Sequence, residues 1–445
     1  MAGPTTLPAV AGILLALAPP TVSEPAVRAE VDRLAAAVSG ARHLPFHGPL
    51  AARPVGRAAL RAEVGATVAA GLSASAARTQ ERLLGRLGLL PVDADYERLL
   101  TDKYAAAGVP SYDPTTQRLS VPDFVPLDAQ AIPLAHEVAH AVADQRFGIR
   151  RLLQIQPDGT HRLDGDAERA RLALVEGDAT LSALELADPT ESFLDRRALG
   201  TLETNLRGAA GATLTPAWFT AVDRFEHVDG LEFVARVRAR RPWSAVDALW
   251  ADPPASSAEV LHPERYEACQ APVAVGEDLL PTLPGVGRPQ ASDVLGELVA
   301  RTWLASRLPP EIASRAAAGW AGDRAGVYGP PPHEASHEAP HEASPDAGRA
   351  PTAPEPFAWL TIWDDGAEAE DFTRAATAAG VHAVARRQEA VALLLGVPDP
   401  EAIPILAAML DGWHRQEAAA RKTATRRRHV PPASCPRRGR GAEDR

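Results

Sequence analysis

Leu134-Ala135-His136-Glu137-Val138-Ala139-His140-Ala141-Val142 is the stretch on which the reading turns. A helix advances about 100° per residue, so positions 136 and 140 stand one above the other and both imidazoles reach a single cation. Glu137 stands on their flank, placed to take a proton from water held by that cation. Pro133 suits a first helical turn, Leu134, Val138, Ala141 and Val142 are apolar, and Phe147-Gly148 offers a stop. Such a helix is buried with its histidines turned to a cleft.

The same pattern recurs at His333-Glu334-Ala335-Ser336-His337 and His337-Glu338-Ala339-Pro340-His341. There it follows Gly329-Pro330-Pro331-Pro332 and repeats a His-Glu-Ala unit, Pro340 breaks any helix, and no apolar face exists to dock one. Those copies are set aside as catalytic.

A tetrahedral zinc site that works on substrate takes three protein ligands and keeps one position open. Downstream, residues 164–187 read as one helix, with Asp164 or Asp166 near its cap and Ala170, Ala173, Leu174, Ala179, Leu181 and Leu184 as apolar surface. Glu176, between Val175 and Gly177 on a small-residue face, is the expected third ligand; Gly177 lowers helix propensity but permits close approach of a second helix. The 35 residues between His140 and Glu176 leave room for a turn and an antiparallel return.

These two segments, and His136, His140 and Glu176 within them, resemble the gluzincin-type zinc metallopeptidases, in particular a bacterial and archaeal group with H-E-x-x-H and a later E-G-D-A. The stretches 112–121, 260–266, 319–324 and Trp363-Asp364 are similar to further signatures of that group, so the likeness spans roughly residues 40–415. It implies Zn²⁺ as cofactor, a peptide or protein as substrate, and an α+β, mainly helical zincin-like catalytic domain. Zinc lowers the pKa of bound water to about 7, and Glu137 would complete deprotonation as a peptide carbonyl is attacked. His262 and Tyr266, in a polar segment that the resemblance marks, are candidates for the donor to the oxyanion. Where thermolysin-like members carry an aspartate one turn after the ligand glutamate, this chain has Thr180; Asp144 or Asp178 is left to orient an imidazole.

The chain has 445 residues, 46% of them apolar, and a formal charge of −11. After residue 420 nine basic side chains face two acidic ones, so the tail carries +7 against −18 for the rest. With Pro431, Pro432 and Pro436 it reads as a solvated tail, not a specific nucleic-acid site. An apolar run from Ala9 to Ala18 before Pro19-Pro20 reads as a weak signal segment over residues 1–23 and points to export; no other stretch has the length of a membrane span. Cys269 and Cys435 read as free thiols.

The expected organisation is therefore a catalytic domain over residues 24–328, a Pro/His/Glu-rich linker over 329–356, a β-α-β-β-α module over 357–420, and the tail. Residues 112–121 read as a strand whose open edge pairs with an extended peptide. Two rival readings remain: a non-enzymatic metal-binding or scaffold protein, the His-Glu-Ala units holding the metal, and a zinc amidase acting on a non-protein amide.

Overall fold

The computed structural model describes residues 22–156, 159–187, 216–239, 241–329 and 354–426. Most of the signal segment and of the basic tail lies outside them. Helix α1 (Glu24–Arg42) opens with Pro25 in its first turn, and the Ser23 hydroxyl accepts from the Ala26 N–H. There follow β1 (Ala51–Val55), α2 (Arg57–Gly71), α3 (Ala74–Arg86), α4 (Tyr96–Ala107), β2 (Ser111–Asp113) and β3 (Arg118–Pro122). The three strands form one sheet in the order β1-β3-β2, with β3 parallel to β1 and antiparallel to β2. The single strand expected over 112–121 is thus a hairpin. The Asp113 carboxylate accepts from the Thr115 N–H and the Thr116 hydroxyl, and Gln117 turns the chain at φ 55°.

Helix α5 (Ala131–Phe147) carries the H-E-x-x-H array and stops where Gly148 takes φ 81°. A short α6 (Ile149–Leu152) leads to α7 (Gly165–Ala187), whose first turn is capped by Asp164 accepting from the Ala167 N–H at 2.9 Å. Small or apolar residues line α7 all round and most of it is buried, as befits a central helix. The next helix is continuous but not uniform: α8 (Ala217–Arg224) passes through a π turn (Phe225–Asp229) into α9 (Gly230–Arg238). Where α7 and α9 cross, a Cβ on Gly177 would collide with the Gly230 carbonyl, and one on Gly230 with the Ala173 carbonyl. The two glycines let the backbones touch.

After α10 (Ser244–Ala251), α11 (Ser257–Leu261) and α12 (Pro263–Glu267) come β4 (Ala291–Asp293), α13 (Gly296–Ala305), α14 (Pro310–Ala317), β5 (Trp320–Val327), β6 (Phe357–Trp363), α15 (Gly366–Ala378), β7 (Val384–Arg387), β8 (Ala390–Leu395) and α16 (Asp399–Arg426). The second sheet runs β4-β5-β6-β8-β7, antiparallel throughout. Every residue of β6 is buried, so the run Phe357-Ala358-Trp359-Leu360-Thr361-Ile362-Trp363 shows no alternation. The chain is α+β and mostly helical.

This sheet redraws the expected organisation. β5 and β6 are neighbours paired out to Val327 and Phe357, so the stretch between them is the connection of one hairpin, not a linker between domains. The β-α-β-β-α order expected after residue 357 is present, but its sheet also takes β4 and β5 from the preceding segment. Buried residues of α7, α13, β5 and β6 belong to one hydrophobic cluster. The Asp323 carboxylate of β5 caps α13, accepting from the Leu295 and Gly296 N–H groups at 2.8 and 2.9 Å. Arg82 of α3 holds the hairpin stem at both sides, donating to the Gly329 carbonyl and to the Glu355 carboxylate. Residues 330–353, with the repeated His-Glu-Ala units, lie outside the described residues. Cys269 is disulfide-bonded, which overturns the reading of free thiols; Cys435, the chain's other cysteine, lies outside the described residues.

A stem closed by strand pairing and arginines does not depend on the length of its connection. Replacing residues 332–352 by a four-residue Gly-Ser segment should leave the circular dichroism spectrum unchanged and, through lower loop-closure entropy, raise stability by about 1 kcal/mol in urea unfolding. Loss of the cooperative transition would refute the hairpin assignment.

Candidate metal centre

Helix α5 presents His136 and His140 on one face, and α7 lies against that face. Leu152, past the end of α5, accepts from Arg171 near the start of α7, while His136 meets Glu176 and Thr180 further along, so the pair is antiparallel as expected. The His136 and His140 Nε2 atoms lie 2.9 Å apart. Glu176 Oε2 stands 3.1 Å from the first and 3.3 Å from the second. In a tetrahedral zinc site with bonds near 2.0–2.1 Å, ligand atoms lie about 3.3 Å from one another. The triangle therefore has the dimensions of one face of such a tetrahedron. Two imidazole lone pairs and a carboxylate turned on one point need a proton or a cation between them, and the donor set of two nitrogens and one oxygen suits zinc.

The charges are arranged accordingly. Burial would raise the Glu176 pKa, but charge on His140 and hydrogen bonds from both histidines hold it well below the usual carboxylate range. Burial works against charge on His140 too, yet Glu176 and Glu137 push it up to about 9. A divalent cation would displace the shared proton. Glu137 differs: burial pushes its carboxyl up, partly countered by the two imidazoles, and its Oε2 accepts from the Tyr112 N–H at 2.8 Å.

That bond defines the edge of the cleft. Tyr112, the middle residue of β2, points its N–H to Glu137, away from β3, and the residue before the strand is Pro110, which has no N–H. The edge of β2 thus has no free N–H to offer an added strand and keeps only carbonyls, so the full strand addition expected at 112–121 is not available. Prolines on an open edge also discourage pairing with other chains.

The structure engages the expected supporting residues elsewhere. Asp144 accepts from the Tyr112 hydroxyl at 2.8 Å and the Ile149 N–H at 2.6 Å, fastening the end of α5 to β2. Asp178 is buried against Arg42, with the Trp250 indole N–H donating to it at 2.8 Å. It is Thr180 that meets one of the two clustered histidines, its hydroxyl 3.4 Å from His136 Nδ1. His262 Nε2 lies 2.9 Å from Glu297, and the Tyr266 hydroxyl donates to the Asp252 carbonyl at 2.6 Å. Their polar atoms tie the α11–α12 segment to α13 and to the end of α10.

The residue missed by sequence reasoning is His227. The π turn between α8 and α9 places its Nδ1 3.6 Å from Glu176 Oε2 and its ring centroid 5.9 Å from that of His136. Asp223 and Glu226 lie beside it; Lys103 pairs with Asp223, and burial pushes Glu226 up to about 8. The available signal was a histidine inside an apolar stripe, Phe225 to Phe233, a pattern that ordinarily marks packing. A π turn widens the helix by one residue and so rotates a side chain off the regular stripe, a device frequent at functional sites.

Residues 282–402 match a family described as a domain of unknown function, DUF8575. The match begins before β4 and ends within α16, so it covers the second sheet and neither α5 nor α7. No curated protein and no solved structure matches the chain.

If Thr180 orients the His136 ring, Thr180→Val should weaken zinc binding about tenfold, the low end for lost outer partners. Competition against a chromophoric chelator measures this; unchanged affinity would show that the hydroxyl is a bystander.

Proposed function

We propose that the chain is a zinc-dependent hydrolase that cuts peptide bonds, built on a zincin-like core of α5, α7 and the β1-β3-β2 sheet. The observation that carries the reading is the triangle of His136, His140 and Glu176, 2.9–3.3 Å on a side, with Glu137 on its flank. His136, His140 and Glu176 would hold the ion. Zinc there would polarise a bound water and the carbonyl under attack.

The chain's own residues supply the rest. Glu137 takes the proton from the attacking water and hands it to the leaving nitrogen; a carboxyl raised by burial is better matched to that exchange than an exposed one. The Tyr112 N–H holds Glu137 Oε2 and so fixes the carboxylate beside the two imidazoles. His227, the third imidazole at the cluster, takes the role expected of His262 or Tyr266 and donates to the oxygen that gains charge. His136 and Glu176 are partly exposed, which leaves the open side a substrate needs. The Tyr112 carbonyl offers one backbone acceptor to an extended peptide. Export accords with the disulfide at Cys269, since such bonds persist in oxidising compartments. No described helix is long and apolar enough to cross a membrane.

Glu137→Gln should retain zinc and lower kcat/KM on a peptide library by about 10²–10⁴-fold. Equal turnover with zinc retained would remove Glu137 as base, and no cleavage by the zinc-loaded wild type would remove peptides as substrate. His227→Ala should leave zinc affinity within about threefold and lower kcat by roughly 10²–10³-fold. A large drop in zinc affinity would make His227 a ligand instead.

A further inference from the structure

A second group of ligating side chains lies between α16 and the turn that joins β7 to β8. Glu389 closes that two-residue turn, and its carbonyl accepts from the Trp363 N–H, which ties it to the end of β6. His414 and Glu417 stand three residues apart on α16 and so share a face. One ligating atom from each of Glu389, His414 and Glu417 lies within 4.8 Å of the others. His414 Nδ1 is 3.7 Å from Glu417 Oε2, and the Trp413 indole N–H donates to Glu389 Oε1 at 3.4 Å. A cavity of about 450 Å³ lined by Arg387, Gln388, His414, Glu417 and Ala418 opens beside the group.

Three features distinguish this group from an ordinary surface ion pair. The His414 ring is largely covered and turns Nδ1 toward the Glu417 carboxylate. The indole of Trp413 holds Glu389 by one oxygen. Arg387, the cation that lines the cavity, is paired with Asp411. Two carboxylates and one imidazole are a donor set for a borderline divalent ion, and the long glutamate side chains can close the last ångström to a coordination sphere.

We infer that Glu389, His414 and Glu417 form a second divalent-cation site of the zinc class, which clasps α16 to the β7–β8 turn. The site is independent of the catalytic reading: it shares no residue with the cluster on α5 and α7. It is structural in role, since its ligands sit on two packed elements of the second sheet and its helix.

The test is zinc stoichiometry and thermal stability of the full chain, with His333, His337 and His341 replaced by serine so that the repeated units contribute nothing. Zinc alone is the probe, counted by native mass spectrometry and by dialysis with elemental analysis. That chain should take up two zinc ions, and His414→Ala should leave one and abolish part of the zinc-dependent rise in Tm. Adding His136→Ala and His140→Ala instead should also leave one, which His414→Ala then removes. Glu417→Gln, a milder change at a partly exposed position, should weaken the same equivalent should His414→Ala fail to fold. An unchanged count and unchanged Tm response in either 414 or 417 variant would overturn the second site, whatever the fate of the first.

Discussion

The last turn of α1 carries a guanidinium into the core: Arg42 is sunk against the Asp178 carboxylate, with Ser182 at 3.1 Å, Asp247 at 2.9 Å and the Trp243 ring 4.2 Å from its centre. Taking away one partner of such a pair strands a buried charge, at a cost of about 3–5 kcal/mol. The pair therefore locks the rotation of α7 about its own axis. Asp178 lies two residues, about 200°, from Glu176, so fastening one to α1 turns the other toward α5. Gly177 between them meets Gly230 of α9. Three consecutive residues, Glu-Gly-Asp, thus meet three different neighbours, and the His136–His140–Glu176 cluster forms because all three contacts are satisfied together.

The same logic joins the two sheets' surroundings. Asp166 near the start of α7 accepts from the Ser257 N–H, Asp293 of β4 accepts from the Gly165 N–H, and Asp323 of β5 caps α13. Burial pushes Asp166 and Asp293 up and takes Asp323 to about 6, so these carboxyls sit dry, held by backbone N–H groups. The Asp293 contact connects α7 to the stretch that matches DUF8575. The second sheet and its helices thereby brace the foot of α7, about three turns before Glu176 at its middle.

Much of this was legible in the chain itself. The spans of α5 and α7, the cap at Asp164, the stop at Gly148 and the role of Gly177 in close packing follow from spacing and local chemistry, and so does the order of elements after Phe357. Residues 112–121 read as one strand from the alternation at Leu119 and Val121, although Asp113-Pro114 within them is turn chemistry and the chain folds there into the hairpin. The span 329–356 reads as a linker because its composition resists packing; composition does not say whether the flanking strands pair with each other.

Local order set where helices begin and end, which residues carry ligating atoms, and that positions 136 and 140 share a face, because those properties depend on neighbours within a few residues. Tertiary structure alone decided that His227 joins the cluster while His262 and Tyr266 do not, that Thr180 and neither Asp144 nor Asp178 meets an imidazole, and that strands on either side of residues 329–356 form one sheet. Each of those outcomes rests on contact between segments tens of residues or more apart, fixed by the packing of α7 between α1, α5 and α9, and no periodicity within one segment encodes the rotation of another.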